Sequence, residues 1–147
     1  MYSYAANSPL VFIDPLGLWT IQFGVSGSYL LGPAAGSYFA GLAIDGEHGF
    51  GFYWGGAGGI GVGGRVSGGC SVTTSNAASI CDLTGLFQNV SAGGGWGPNG
   101  AGEAFWGSGP AGPILGGGVT FGTGVGTGSS ITVTNTVVAR PTGGKCK

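Results

Sequence analysis

Charge is what this chain has least of. Of 147 residues, only four are Lys or Arg and five are Asp or Glu, giving a net charge of −1. Nucleic-acid binding draws much of its affinity from cations at phosphates. Here Arg65, Arg140, Lys145 and Lys147 are the only ones, and three of them lie in the last eight residues. No nucleic-acid partner is therefore expected. A single His, His48, leaves little room for acid–base chemistry. Three cysteines fit neither a disulfide scaffold nor a zinc site. Residues 1–13 hold no Lys or Arg, so no signal peptide is expected.

Glycine is abundant instead, at 37 residues, with seven Pro. Collagen is excluded because Gly does not recur at every third position. Disorder requires low hydrophobicity and high net charge. This chain is 42% apolar with eight Phe, four Trp and five Tyr, enough to form a core.

Residues 1–18, MYSYAANSPLVFIDPLGL, differ in composition from the rest of the chain. Asn7-Ser8-Pro9 and Asp14-Pro15-Leu16-Gly17 are turn signals around a short apolar stretch, Leu10–Ile13. Pro9, Asp14, Pro15, Gly17 and Leu18 stand at the spacing P-x-x-x-x-D-P-x-G-L, preceded by Tyr2, Tyr4 and Asn7. This pattern resembles the C-terminal end of the Rhs repeat-associated core of bacterial polymorphic toxins. The resemblance implies a β-cage enclosing a variable C-terminal toxin. It also implies self-cleavage after the Leu of the motif, at Leu18–Trp19, with Asp14 as one acid of an aspartic-protease-like pair. Such a pair needs two carboxylates sharing a proton. In the family the second acid lies upstream, so this chain alone is not expected to cut itself. The implied partners are the cage and a cognate immunity protein, with delivery into a competitor cell through type VI secretion.

The chain then divides into a core remnant, residues 1–18, and a toxin domain, residues 19–147. Helix signals are almost absent from the second part, since Gly costs about 1 kcal/mol per helix-interior position. Strand signals are frequent. Tyr38, Leu42 and Ile44 share one parity, Asp45-Gly46 reads as a hairpin turn, and Phe50, Phe52 and Trp54 continue the alternation. Ile60, Val62 and Val66 alternate with Gly61, Gly63 and Arg65. Further strands are expected over 87–92, 103–107, 114–122 and 131–139. One face is large and apolar, and the other is Gly, Ala and Ser. The fold class expected is all-β, a Gly-rich antiparallel barrel or sandwich of about eight strands. Which face points outward is left open, because parity is the same either way.

Asp45, Glu47 and His48 form the densest polar cluster. They could orient a general base, contribute to a metal site, or decorate a hairpin tip. Arg65, if inward, could pair with Glu103 or Asp82. Cys70 and Cys81 flank a turn-like segment and could form a disulfide or remain two thiols. No cofactor or metal is assigned. GGIGVGG lacks the Lys-Ser/Thr of a phosphate loop.

Residues 15–44 and 104–139 carry no charge. Small residues alternating with apolar ones over strand-length runs fit a membrane β-barrel, with Trp19, Trp54, Trp96 and Trp106 as an interfacial belt. The function expected is membrane permeabilisation in a competitor cell by a domain that is not an enzyme. The alternatives are an enzymatic toxin using Asp45, Glu47 and His48 with Arg65 and Glu103, and a non-toxic structural or binding β-module.

Overall fold

The computed structural model describes residues 19–46, 49–109 and 112–141. The junction residues Pro9, Asp14, Pro15, Gly17 and Leu18, together with Glu47, His48 and Cys146, lie outside the described residues. Trp19 is described and stands exposed just before the first strand.

The described residues are almost wholly β. The strands are β1 (Thr20–Leu31), β2 (Ala34–Asp45), β3 (Phe50–Ser75), β4 (Gly85–Gly109) and β5 (Gly112–Ala139). They form one antiparallel sheet in the order β1-β2-β3-β5-β4, with β1 also paired to β3. A short 3-10 helix, Ile80–Leu83, connects β3 to β4.

The three long strands are doubled over. The first arm of β3 pairs with β2, Ala34 opposite Ile60, while its second arm pairs with β1, Thr20 opposite Ser75. Both arms of β3 pair with β5, from Phe52 opposite Ala139 to Ser75 opposite Gly116. The bend of β3 falls beside the β1–β2 turn, where the Gly61 amide donates to the Pro33 carbonyl at 3.0 Å. Gly63 there has φ +122° and faces the bend of β5, in which Gly126 has φ +95°. Those φ values exclude most L side chains, so Gly is required at both bends.

β4 also folds back on itself. Gly95 lies against Pro98 and Asn99, and Gly93 against Gly100 and Ala101. Nearer the strand ends, Phe87 meets Phe105 edge-on at 5.9 Å. The Trp106 indole N–H donates to Gln88 Oε1 at 3.1 Å. The antiparallel all-β class is as expected, but the strand count is five rather than about eight, because three strands are long enough to double over and give eight arms. They wrap into a barrel-like body with the bends at one end, the tip, and the strand termini at the other, the base.

The apolar core sits at the base. Ile80 and Leu83 of the 3-10 helix, with Ala77, plug this end against Ala43, Tyr53, Phe87, Ile114 and Val138. Ser79 caps the helix, accepting from the Cys81 amide at 3.3 Å, while Asp82 accepts from the Ser79 amide at 3.2 Å. The Thr20 hydroxyl fastens the plug by donating to the Ala77 carbonyl at 3.0 Å.

The possible Cys70–Cys81 bridge does not form. Cys70 is a free, exposed thiol on β3, whereas Cys81 is disulfide-bonded. The segment between them is not a simple hairpin. It ends β3, crosses the base and enters the plug helix, so the two cysteines belong to different surfaces.

Candidate functional site: an apolar outer face and a polar lumen

Alternation along each arm sorts the side chains, and the sorting is opposite to that of a water-soluble barrel. The large apolar residues point outward. On β1 they are Phe23, Val25, Tyr29 and Leu31; on β2 they are Tyr38, Leu42 and Ile44; all are exposed. β3 adds Phe52, Trp54, Ile60, Val62, Val66 and Val72 to the same surface. β4 and β5 continue it with Leu86, Val90, Trp106, Val119, Phe121, Val125, Ile131 and Val133. Neighbouring arms bring these residues into register, as where Val25, Cys70 and Phe121 lie side by side.

The outer face of the strands carries no Asp, Glu, Lys or Arg among the described residues. All four Trp are exposed: Trp19, Trp54 and Trp106 toward the base, Trp96 at the β4 tip. Tyr29 and Tyr38 add aromatic surface to the tip half. A soluble monomer rarely exposes a contiguous apolar patch above a few hundred Å². This one surrounds the body.

Between the base core and Leu30 near the tip, many inward positions are small or polar. Gln22, Ser71, Thr73, Thr132, Thr134 and Thr136 are all buried. They line a lumen of about 100 Å³ that extends from the plug to Arg65. An eight-stranded barrel has an interior just wide enough for side chains to fill. Hydrogen bonds cross it between strands that no ladder joins. Ser26 and Thr120 share one at 3.2 Å, and Thr73 donates to Glu103 at 3.3 Å. Within the walls, Ser28 bonds Ser67 at 3.0 Å, Ser91 bonds Ser130 at 2.9 Å, and Asn89 donates to Glu103 at 3.2 Å.

Of the acids and bases picked out in the sequence, the described Asp45, Arg65 and Glu103 do not converge. Asp45 is buried at the base. Its carboxylate accepts from the Gly49 amide and, at 3.2 Å, from the Ile80 amide, and pairs with Arg140 at 3.6 Å. It therefore ties the β2–β3 turn, the plug and the end of β5 together. Glu103 lines the lumen wall, and Arg65 sits near the tip. Arg65 does point inward, but neither Glu103 nor Asp82 pairs with it; its Nη2 donates to Ser28 at 3.3 Å. Glu47 and His48 lie outside the described residues. Among the described residues, no group of three or more His, Cys, Asp or Glu could hold a metal ion.

The lumen residues Ser26, Thr73, Asn89 and Thr120 escaped sequence reasoning. Their only signal is parity, opposite to the aromatic positions, and it gains meaning once the outward face is known. No described helix is long and apolar enough to cross a membrane. Comparison of the chain with protein-family models, with curated proteins and with solved structures finds no match.

Proposed function

We infer that residues 19–147 are the C-terminal toxin domain of an Rhs-type polymorphic toxin and act by entering the membrane of a competitor cell. The observation that carries this reading is the outward apolar face, uncharged on every arm. Dimensions support it as well. Arms of about 12 residues at about 3.3 Å each span roughly 40 Å, or about 28 Å when tilted by about 45°, close to the hydrocarbon thickness of about 30 Å. Ladders on both sides of β1, β2, β3 and β5 satisfy much of the backbone without water, as a bilayer demands. The Rhs identity rests on the junction pattern of Pro9, Asp14, Pro15, Gly17 and Leu18.

In this reading insertion is driven by transfer of Phe, Trp, Val, Ile and Leu from water to lipid, about 25 cal/mol for each Å² removed from water. The plug of Ala77, Ile80 and Leu83 closes the base of the lumen. It hangs on the connection between β3 and β4, so its withdrawal opens a polar path without breaking a ladder. The cage of the parent protein shields the apolar face before release, and the immunity protein binds the released domain.

The test is release of a trapped dye from liposomes on addition of the 147-residue chain, with membrane potential followed in cells that express it in cytoplasm or periplasm. Dye release and depolarisation are expected. Intact liposomes across neutral and acidic pH, with and without anionic lipid, would contradict the reading.

A further inference from the structure

Arg65 is buried near the tip with 4% of its surface exposed. Guanidinium cannot shed its proton in a protein, so its charge is permanent. Burying such a charge is costly unless it is paired and fully hydrogen-bonded. Here Nη2 has Ser28 at 3.3 Å, while Nε and Nη1 make no hydrogen bond among the described residues. Gly93 lies against Nη1 and offers no side chain.

The described acids are committed elsewhere. Asp45 pairs with Arg140 at the base, and Asp82 accepts from the Ser79 amide. Glu103 shares the lumen, but its two oxygens hold Thr73 and Asn89. Thr73 stands eight residues along β3 from Arg65, on the order of 25 Å at about 3.3 Å per residue.

The lumen at this level contributes hydroxyls from Ser28, Ser67, Ser91 and Ser130 and no acidic group. A fixed cation with two unused nitrogen donors, beside hydroxyls in a lumen of about 100 Å³, has the makings of an anion site. We propose that Arg65 and the surrounding serines bind a small monovalent inorganic anion of chloride size inside the lumen. The site stands whether or not the domain permeabilises membranes. If it does, the permeating ion is the anion, since a buried Arg favours anions in a pore. A lumen of this volume is expected to admit chloride in preference to gluconate and larger organic anions.

The experiment uses the purified 147-residue chain in detergent micelles, with chloride as probe. A folded-state ligand raises thermal stability with its concentration. Chloride is therefore expected to raise Tm saturably, and gluconate at equal ionic strength is not. Chloride-35 NMR lines should broaden with protein and sharpen again on addition of bromide. Arg65→Met should weaken chloride binding by roughly tenfold or more. Glu103→Gln, which keeps the lumen's shape and removes its negative charge, should tighten it about twofold. Equal responses to chloride and gluconate in the unmodified chain would overturn the site even if Arg65→Met fails to fold. Unchanged chloride binding in folded Arg65→Met would overturn it as well. Chloride binding with intact liposomes keeps the anion site and removes the permeabilising role. Dye release without chloride binding does the reverse.

Discussion

At the base, inward positions of β2, β4 and β5 carry Ala43, Phe87, Ile114 and Val138 around the Ile80 and Leu83 plug. A few residues along the same strands, inward positions carry Ser37, Ser91, Thr120 and Thr132 instead. The base is an ordinary dry core, stabilised by removing apolar surface from water. The lumen above it has little apolar material to bury, and its stability comes from hydrogen bonds between facing walls. The apolar residues of those arms lie on the outside. In water that arrangement has little hydrophobic driving force beyond the base and Leu30 near the tip. In lipid it has one on every arm. The base buries its apolar residues, whereas the walls expose theirs.

The largest effect should come from the base. Ile80 is fully buried, and Ile80→Ala should cost about 2–5 kcal/mol through lost transfer and the cavity left behind. Chemical denaturation in detergent reads this directly. The same variant should release dye faster, because the seal at the base is weakened.

The outer face should respond according to solvent. Val25 lies mid-arm between Ala40 and Cys70 and is 58% exposed. Val25→Arg should cost about 2–4 kcal/mol near a bilayer midplane. In aqueous buffer it should change stability by less than about 0.5 kcal/mol. Liposome association against denaturation in buffer separates the two. Equal behaviour in both settings would erase the contrast between base and outer face.

Asp45 tests the joint between plug and wall. Asp45→Ala leaves the Ile80 and Gly49 amides without their acceptor and should cost about 1–3 kcal/mol. Arg140→Ala removes a partly exposed ion-pair partner and should cost less, about 1 kcal/mol or below. A catalytic Asp45 would instead lose activity in Asp45→Asn with the fold intact.

The sequence made the alternation of Tyr38–Ile44 and Phe50–Trp54 legible, because a period of two needs no tertiary information. It left the direction of the apolar face open for the same reason: flipping the barrel inside out preserves parity. The doubling of β3 and β5 was hidden too. Gly63 and Gly126 turn the chain, yet they read like every other Gly in a Gly-rich run. The cysteine pairing failed on topology. Cys70 takes an outward strand position, while Cys81 enters the plug helix, and spacing along the chain carries neither fact. Arg65 was visible as an isolated cation opposite Val62 and Val66 in parity. Its missing partner is a property of the folded lumen.

The smallest effect concerns one lumen hydroxyl. Thr134 is buried and its Oγ1 makes no hydrogen bond among the described residues. Thr134→Val keeps the shape and removes an unsatisfied group, so stability should stay within about 1 kcal/mol or rise. A loss well beyond that would mean that the lumen hydroxyls are held more tightly than their bonds indicate.

Cys70 offers the most direct test of the outward apolar face. It is a free, exposed thiol midway along an outer arm, between Val25 and Phe121. An environment-sensitive fluorophore attached there, with Cys70→Ser as the labelling control, reports what that face touches. Once the chain is mixed with liposomes, emission should shift to the blue and be quenched by lipids carrying a spin label in their acyl chains. Emission that stays water-like and is quenched by aqueous iodide instead would contradict a lipid-facing outer wall.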